Sequence, residues 1–251
     1  MTAPSLVVEG LCKRFGVLLA NDEITFEAQP CELHALIGPN GAGKTTLINQ
    51  LSGAVPSNRG RIVFEGEDIT RLDMTERSRR GLARSFQTAS LLPEYTALAN
   101  VALAAQARSG SSFRFFARVA GENALNAAAG AALARVGLAG RASLRAGALS
   151  HGEQRLLEIA VALACAPKLL LLDEPFAGLG PEESKACVEL IRELKREFTI
   201  LLVEHDMDAV FSLADRVSVL VDGRILATGS PSDIRADERV RAAYLGDEEF
   251  A

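Results

Sequence analysis

Residues 38–46 read Gly38-Pro39-Asn40-Gly41-Ala42-Gly43-Lys44-Thr45-Thr46 and directly follow the apolar run of residues 33–37. The stretch matches the P-loop pattern, in which a strand leads through a glycine-rich turn into a helix. Glycines allow backbone N–H groups to close around phosphate oxygens, Lys44 adds a positive charge, and the Thr45 hydroxyl is a ligand for Mg²⁺. The alternative is a turn that only joins strand to helix. Because every fixed position is filled, we interpret the segment as the phosphate-binding part of a nucleotide site.

The composition restricts the class of protein. The chain has 251 residues, 48% of them hydrophobic, which is enough to bury a substantial core. Its net charge of −5 gives no overall attraction for nucleic acid, so no nucleic-acid partner is expected. No apolar stretch reaches the roughly 18 residues that span a bilayer, and no signal peptide is recognisable. We therefore expect a cytoplasmic protein, and any membrane role must come through a partner. The four scattered cysteines are expected to be packing residues.

The spacing of β-rich and helical segments predicts the core. Residues 1–86 hold short β-rich runs and the P-loop helix, and residues 168–251 complete the core. In this second part, a predicted strand at 168–172, a helix at 182–196 and a strand at 199–203 follow one another. This βαβ order is typical of a parallel sheet.

From about residue 97 to 149 the composition becomes alanine-rich and helical in pattern, with the clearest helices at 102–107 and 122–136, inside the range 87–167. We predict that residues 87–167 form a helical subdomain inserted into the α/β core. Near the end of the sequence, Asp222-Gly223 predicts a hairpin turn between two strands.

Two carboxylates follow a run of four leucines. Residues 169–172 are all leucine, and Asp173 and Glu174 come next. Such a run is typical of a strand buried on both faces, and ligands of open α/β sheets bind at the C-terminal ends of these strands. Asp173 is the candidate that holds Mg²⁺ through water, and Glu174 is the candidate base for the water that attacks the γ-phosphate. The alternative is a merely polar strand end.

A third motif, Leu149-Ser150-His151-Gly152-Glu153-Gln154, opens an apolar-periodic helix. It resembles the signature motif of ATP-binding-cassette (ABC) ATPases, and the sequence supplies that family's other motifs in the family's order over nearly its whole length. The resemblance implies ATP hydrolysis with ATP and Mg²⁺ as cofactors. It also implies an α/β fold: a P-loop NTPase core with a parallel sheet, an antiparallel β-subdomain and the inserted α-helical subdomain.

The resemblance assigns roles to single residues. Phe15 is placed where the family keeps an aromatic residue for adenine, Gln87 stands at the Q-loop position, and His205 is the switch histidine. The simpler alternatives are a core residue for Phe15, an exposed amide for Gln87 and a surface residue for His205. The predicted catalytic residues are Glu174, His205 and Gln87. The predicted Mg²⁺ ligands, partly through water, are Thr45, Gln87 and Asp173.

In the family, the signature motif faces the γ-phosphate that is held by the other subunit. Ser150 and the N–H groups at a helix N-terminus form an anion site. The resemblance implies that two cassettes enclose two ATP molecules, so hydrolysis requires a dimer, either of two identical subunits or with a paralogue. The predicted trans residues are Ser150, His151, Gly152 and Glu153.

Two positions depart from the family's pattern. His151 stands where many members have glycine, which adds bulk near the phosphate. Gly180 stands where the family commonly has Asp or Asn, in the loop that crosses the dimer interface. We expect weaker coupling between subunits and no loss of ATP binding. The alternative for Gly180 is a conformational role, because a glycine with positive φ cannot be replaced without strain.

Further segments indicate a subfamily. They are residues 22–26, 84–87 with 91–94, 109–120, and the C-terminal segment 240–246. Together they resemble the ATPase subunits of bacterial branched-chain amino acid importers. That resemblance implies import of branched-chain or other hydrophobic amino acids through transmembrane permease subunits. A periplasmic or extracellular solute-binding protein is the indirect partner, and the expected location is the cytoplasmic face of the membrane.

Other functions stay open at the level of sequence. ATPases of urea and amide importers and the cassette of the lipopolysaccharide exporter end similarly. A soluble cassette acting on nucleic acid or the ribosome is a more distant alternative, because such proteins usually carry duplicated cassettes or coiled-coil insertions. This sequence has one P-loop and no heptad run.

Two basic clusters remain. One consists of Arg77, Arg79, Arg80 and Arg84, and the other of Arg108, Arg114 and Arg118 around three phenylalanines. We interpret them either as contacts to a permease loop or lipid headgroups, or as a solvated helix face and a loop.

Overall fold

A six-stranded sheet forms the centre of the computed structural model, which describes residues 3–85, 91–108 and 123–243. In spatial order its strands are β10 (Arg224–Gly229), β9 (Arg216–Val221), β3 (Leu33–Ile37), β8 (Thr199–Val203), β7 (Leu169–Asp173) and β6 (Leu82–Arg84). The strands from β9 to β6 are parallel, and β10 pairs with β9 as an antiparallel hairpin. Every residue of β3, β7 and β8 is buried, as expected for a parallel sheet covered on both faces.

A second, antiparallel sheet confirms the expected β-subdomain. It has the order β2-β1-β4-β5, formed by β1 (Leu6–Phe15), β2 (Leu18–Ala28), β4 (Arg59–Phe64) and β5 (Glu67–Asp68). Buried side chains from this sheet, from the central sheet and from helix α1 (Lys44–Ser52) form one hydrophobic core. This core fixes the P-loop helix between the two sheets.

Three helices pack together on the other side of the molecule: α3 (Ala97–Arg108), α4 (Asn123–Arg135) and α5 (His151–Ala164). They share a second hydrophobic core with the central sheet. The helix predicted at 102–107 begins five residues earlier because the Thr96 hydroxyl accepts a hydrogen bond from the Ala99 N–H at 3.1 Å, which caps the first turn. The subdomain boundaries at 86/87 and 167/168 stay a prediction.

The remaining helices are α2 (Met74–Arg79), α6 (Pro181–Leu194), α7 (Met207–Leu213), α8 (Pro231–Ala236) and α9 (Glu238–Ala243). The last two lie against β9 and β10. Among the described residues, no helix combines the length and apolar character needed to cross a bilayer.

The first basic cluster is not a uniform surface patch. Arg77 is 2% exposed, and its guanidinium donates to the carbonyls of Gln50, Leu51 and Thr70. It therefore joins α1 to the segment before α2, and the interpretation as a solvated or membrane-facing side chain is wrong for this residue. The second cluster, apart from the backbone of Arg108 at the end of α3, lies outside the described residues.

Candidate nucleotide-binding site

The P-loop joins β3 to α1 along a path that requires glycine at Gly38 and at Gly43. Gly38 has φ +155°, and a Cβ there would lie 2.0 Å from the Leu220 carbonyl oxygen. Gly43 has φ +103°, and a Cβ there would lie 2.3 Å from the Ala20 carbonyl oxygen. Side chains at these two positions would push the loop away from β2 and β9, so the predicted glycine pattern has a steric cause in this fold.

The ammonium group of Lys44 is held within the loop. Its side chain is largely buried, and Nζ donates to the carbonyls of Gly38 at 2.5 Å and Pro39 at 3.1 Å. Burial lowers the pKa of Lys44, and the nearby negative charges of Glu174 and Asp173 oppose that shift. The structure thus brings the P-loop lysine and the two carboxylates that follow β7 into one electrostatic site.

Asp173 ends β7 and is fully buried. Its Oδ2 accepts a hydrogen bond from Arg84 Nη2 at 2.9 Å, while Arg84 Nη1 donates to Asn49 Oδ1 at 2.6 Å. Burial raises the pKa of the Asp173 carboxyl, and the Arg84 guanidinium acts in the opposite direction. Arg84 was singled out only within a basic cluster and a subfamily segment, yet it connects the end of β7 to α1.

The donor set fits Mg²⁺. Asp173 Oδ1 is buried and has no hydrogen-bond partner among the described residues, so one carboxylate oxygen is available as an acceptor. Thr45 lines the adjacent cavity and offers a hydroxyl oxygen. Carboxylate and hydroxyl oxygens are the ligands that this cation prefers. Gln87, the third predicted ligand, lies outside the described residues.

Glu174 adopts a backbone conformation that is uncommon for a residue other than glycine. Its φ is +50°, in the left-handed region, and its N–H donates to the Val203 carbonyl at 2.8 Å. Such conformations persist only where the surroundings hold them, and they are concentrated at functional sites. The turn brings Glu174 to the wall of the cavity that the P-loop lines.

This cavity, of about 480 Å³, extends from the P-loop to the tip of the β1–β2 hairpin. The predicted residues that line it are Phe15, Asn40, Gly41, Ala42, Gly43, Lys44, Thr45, Thr46 and Glu174. Phe15 is 48% exposed, which rules out the core alternative, and Lys13 Nζ lies 4.9 Å from the centre of its ring. A flat aromatic face beside a phosphate-binding loop suits stacking of a base.

Sequence reasoning missed part of this lining. Leu18, Leu19 and Ala20 come from the start of β2, and Asp222 and Gly223 come from the β9–β10 turn. The turn was predicted, but its position beside the P-loop depends on the hydrogen bond from Gly223 N–H to the Ala42 carbonyl at 3.0 Å. No local pattern in the sequence indicates a contact between two residues so far apart along the chain.

The signature motif forms the start of α5. The Ser150 hydroxyl accepts the Glu153 N–H at 3.1 Å, and the Glu153 carboxylate accepts the Ser150 N–H at 2.9 Å, which is a capping box. Backbone hydrogen bonding to Ser150 and then the Arg141 guanidinium lower the pKa of Glu153. Within its own subunit Glu153 therefore orders the helix start, while Ser150 and His151 are exposed and do not line the P-loop cavity.

Gly152 is buried against α6. A Cβ at this position would lie 2.5 Å from Glu183 Oε1, so a larger residue here would displace the Glu183 carboxylate. The Glu183 carboxylate also accepts the Gly180 N–H at 3.0 Å, which places the signature helix beside the loop that contains Gly180.

The conformational alternative for Gly180 is wrong. Its φ is −72°, an ordinary value for any residue, and it is the N-cap of α6. The glycine of this loop with a left-handed backbone is Gly178, at φ +76°. Steric strain is therefore not the reason that Gly180 lacks a polar side chain.

His205 follows β8 as predicted and is 58% exposed at its side chain. Its Nδ1 lies 3.7 Å from Oε2 of the buried residue Glu204. Glu204 was not predicted as a site residue. Burial raises the pKa of its carboxyl, and hydrogen bonds from the Phe176, His205 and Asp206 N–H groups act against that shift.

The fold and the cavity together define a P-loop nucleotide-binding protein, and comparison with known proteins identifies its family. The sequence model described as ABC transporter matches residues 21–177, and the model described as branched-chain amino acid ATP-binding cassette transporter matches residues 224–249. The chain belongs to the ABC transporter ATP-binding family, and it is an ATPase of that family.

Relatives and solved structures match over nearly the full length. The chain is 41% identical to the high-affinity branched-chain amino acid transport ATP-binding protein LivG of Escherichia coli K12, over 98% of this chain and all of the relative. It is 39% identical to the high-affinity branched-chain amino acid transport ATP-binding protein BraF of Pseudomonas aeruginosa, with the same coverage. A nucleotide-free ATP-binding cassette from an ABC transporter superimposes with a TM-score of 0.87 at 31% identity, over 98% of this chain and all of that structure.

Proposed function

We propose that this protein powers the import of branched-chain or other hydrophobic amino acids by hydrolysing ATP beneath a partner permease. The observation that carries the proposal is the full-length similarity to LivG and BraF, together with the family match at residues 224–249 near the C-terminus. The ATPase itself touches no solute, so this assignment rests on similarity and not on a solute site. An ATPase of a urea or amide importer, or of a lipopolysaccharide exporter, is the alternative.

The cavity residues have the following proposed roles. The backbone of residues 38–46 and the Lys44 ammonium bind the phosphates, and Phe15 stacks on adenine. Thr45, Gln87 and Asp173 hold Mg²⁺, which supplies charge neutralisation at the β- and γ-phosphates when bound. Glu174 accepts the proton of the attacking water, and its position at the wall of the P-loop cavity supports this role.

The trans contribution is proposed from where the signature motif lies. Ser150 is exposed and caps α5, and neither it nor His151 lines the P-loop cavity of its own subunit. An exposed helix start with available N–H groups suits a phosphate held by another subunit. We infer that Ser150, His151, Gly152 and Glu153 complete the site of a second cassette, and that exposed His205 contacts the γ-phosphate.

A groove between the core and the three-helix region is the surface that we assign to the permease. It has a volume of about 320 Å³ and is lined mainly by apolar or small side chains, among them Met74, Ala83, Ala104, Ala107, Val161 and Ala162. Met74 is 41% exposed, which is high for a large apolar side chain. The small alanines on α3 leave room for a short cytoplasmic helix of a membrane protein.

The proposed function is tested by expressing the protein with candidate permease subunits and a solute-binding protein, and by measuring uptake of radiolabelled leucine. Ala104→Arg fills the groove, whereas Ala128→Arg places the same side chain on an exposed position of α4 as a matched control. We expect Ala104→Arg to abolish co-purification and uptake while ATP hydrolysis by the isolated protein persists. Uptake of urea without leucine uptake would favour the alternative importer.

A further inference from the structure

Glu204 lies between two loops of the candidate site. It follows β8, and its side chain is 0% exposed. Its Oε1 accepts the Phe176 N–H at 2.9 Å, and its Oε2 accepts the His205 N–H at 3.0 Å. One carboxylate thus joins the segment after Glu174 to the loop that carries His205.

The environment of this carboxylate is unusual for a packing residue. Among the described residues, its only salt-bridge partner is His205, whose Nδ1 lies 3.7 Å away. A buried carboxylate without a Lys or Arg partner is costly, and here backbone N–H groups are what stabilise it. The thiol of Cys187 lies close by on α6, where burial, and then the charge of Glu204, raise the pKa of Cys187 to about 12. Glu204 therefore lies near the uncharged thiol of Cys187, and its two oxygens accept hydrogen bonds from the two loops.

The segment that Glu204 holds is the strained one. Glu174 has φ +50°, and two N–H groups hold this segment: the Glu174 N–H donates to the Val203 carbonyl, and the Phe176 N–H donates to the Glu204 carboxylate. A left-handed residue returns to an ordinary conformation unless its surroundings prevent it. Both restraints come from the end of β8, the strand that also leads to His205.

We propose that Glu204 is a positioning residue for ATP hydrolysis, which holds the Glu174 turn and the His205 loop in one fixed relation. The proposal rests on the roles proposed above for Glu174 and His205. It predicts that the two loops respond together when Glu204 is changed, because the Glu204 carboxylate accepts hydrogen bonds from N–H groups of both.

Glu204→Gln is the test because it keeps the shape of the side chain. The amide nitrogen cannot accept a hydrogen bond, so one of the two N–H groups loses its partner. Glu158→Gln is the matched control, since Glu158 is also a buried carboxylate but pairs with Arg155 on α5 and does not line the P-loop cavity. We expect Glu204→Gln to lower kcat about 10- to 100-fold with KM for ATP changed less than about twofold. Glu158→Gln should leave both values close to those of the unmodified protein.

Hydrogen exchange supplies a readout that does not depend on activity. In the unmodified protein, the Phe176 and His205 amides should be protected to a similar degree. In Glu204→Gln the amide that loses its acceptor should exchange faster, and the other should follow because one side chain holds both loops. An unchanged kcat in Glu204→Gln overturns the proposal. A loss of nucleotide affinity as large as the loss of kcat also overturns it. Exchange of the Phe176 amide in the unmodified protein at the rate of an unprotected amide also overturns it, without the need for any variant.

Glu174→Gln is measured in parallel to distinguish failure of the proposed base role of Glu174 from failure of the positioning role of Glu204. If Glu174→Gln hydrolyses ATP at the unmodified rate, the proposed role of Glu174 fails, and the positioning role of Glu204 fails with it. If Glu174→Gln is inactive and Glu204→Gln matches the unmodified protein, the positioning role alone is wrong.

Discussion

Arg84 Nη2 lies 2.9 Å from Asp173 Oδ2, and the two side chains are 8% and 0% exposed. Arg84 also donates to Asn49 Oδ1 at 2.6 Å. The guanidinium therefore links the P-loop helix, the end of β7 and the edge strand β6. The carboxylate that is proposed to hold Mg²⁺ is oriented by an arginine three residues before Gln87.

Arg84→Met is expected to destabilise the fold strongly, because it removes the counter-charge that is hydrogen-bonded to the buried Asp173 carboxylate. Removing one partner of a buried ion pair typically costs roughly 3–5 kcal/mol. Urea denaturation measures the change in the free energy of unfolding. Adding Asp173→Asn to Arg84→Met should recover part of the loss, since no unpaired charge then remains buried.

Arg145→Met provides the control for the ion-pair argument. Arg145 pairs with Glu94 at 3.2 Å, but the two side chains are 69% and 79% exposed, so solvent screens the pair. Loss of this ion pair should change the free energy of unfolding little. Equal losses in Arg84→Met and Arg145→Met would show that burial of the first pair has no energetic consequence.

The loop before α6 offers a test of the departure at Gly180. Because Gly180 has φ −72° at the N-cap of α6, aspartate fits its backbone and is a favoured capping residue. Gly180→Asp should keep or slightly raise the melting temperature, and we expect it to raise the cooperativity of ATP hydrolysis in the permease-bound complex. A Hill coefficient that does not change would count against the missing polar contact as a cause of the weaker coupling that we expect.

Gly178 is the conformational control in the same loop. Its φ of +76° disfavours any side chain, so Gly178→Ala should lower stability by about 1 kcal/mol. Gly180→Ala should behave differently, because its backbone is unstrained and a Cβ there would lie 3.8 Å from the nearest heavy atom, Glu183 Oε2. Thermal denaturation of the two alanine variants separates the roles of the two glycines.

Sequence pattern found the parts of the site that are local in the sequence. The P-loop and the Asp173-Glu174 pair each follow a buried strand, and parallel strands bring their C-terminal ends to one edge. The roles of Arg84 and Glu204 were not predicted, because these roles depend on partners that only the fold brings close. Arg84 meets Asp173, 89 residues away, and Glu204 meets Phe176, 28 residues away. A basic cluster and a Glu-His-Asp triplet do not reveal such partners.

Cis and trans contributions are separated by a pair of variants. Lys44→Ala removes the ammonium from the P-loop and should weaken nucleotide binding by the isolated protein. Ser150→Arg changes an exposed residue outside the P-loop cavity, so binding by the isolated protein should persist while turnover is lost through obstruction of the facing site. Titration with a fluorescent ATP analogue measures the affinities. Equal losses of affinity in the two variants would contradict the enclosure of ATP between two subunits.

The most direct measurement of the central claim is ATP binding and hydrolysis by Glu174→Gln. The amide keeps the shape of the side chain at the cavity wall but cannot accept the proton of the attacking water. We expect ATP binding to persist, hydrolysis to fall about 100-fold or more, and an ATP-bound closed dimer of the 26.7 kDa protein to accumulate. Hydrolysis by Glu174→Gln at the rate of the unmodified protein would contradict the account.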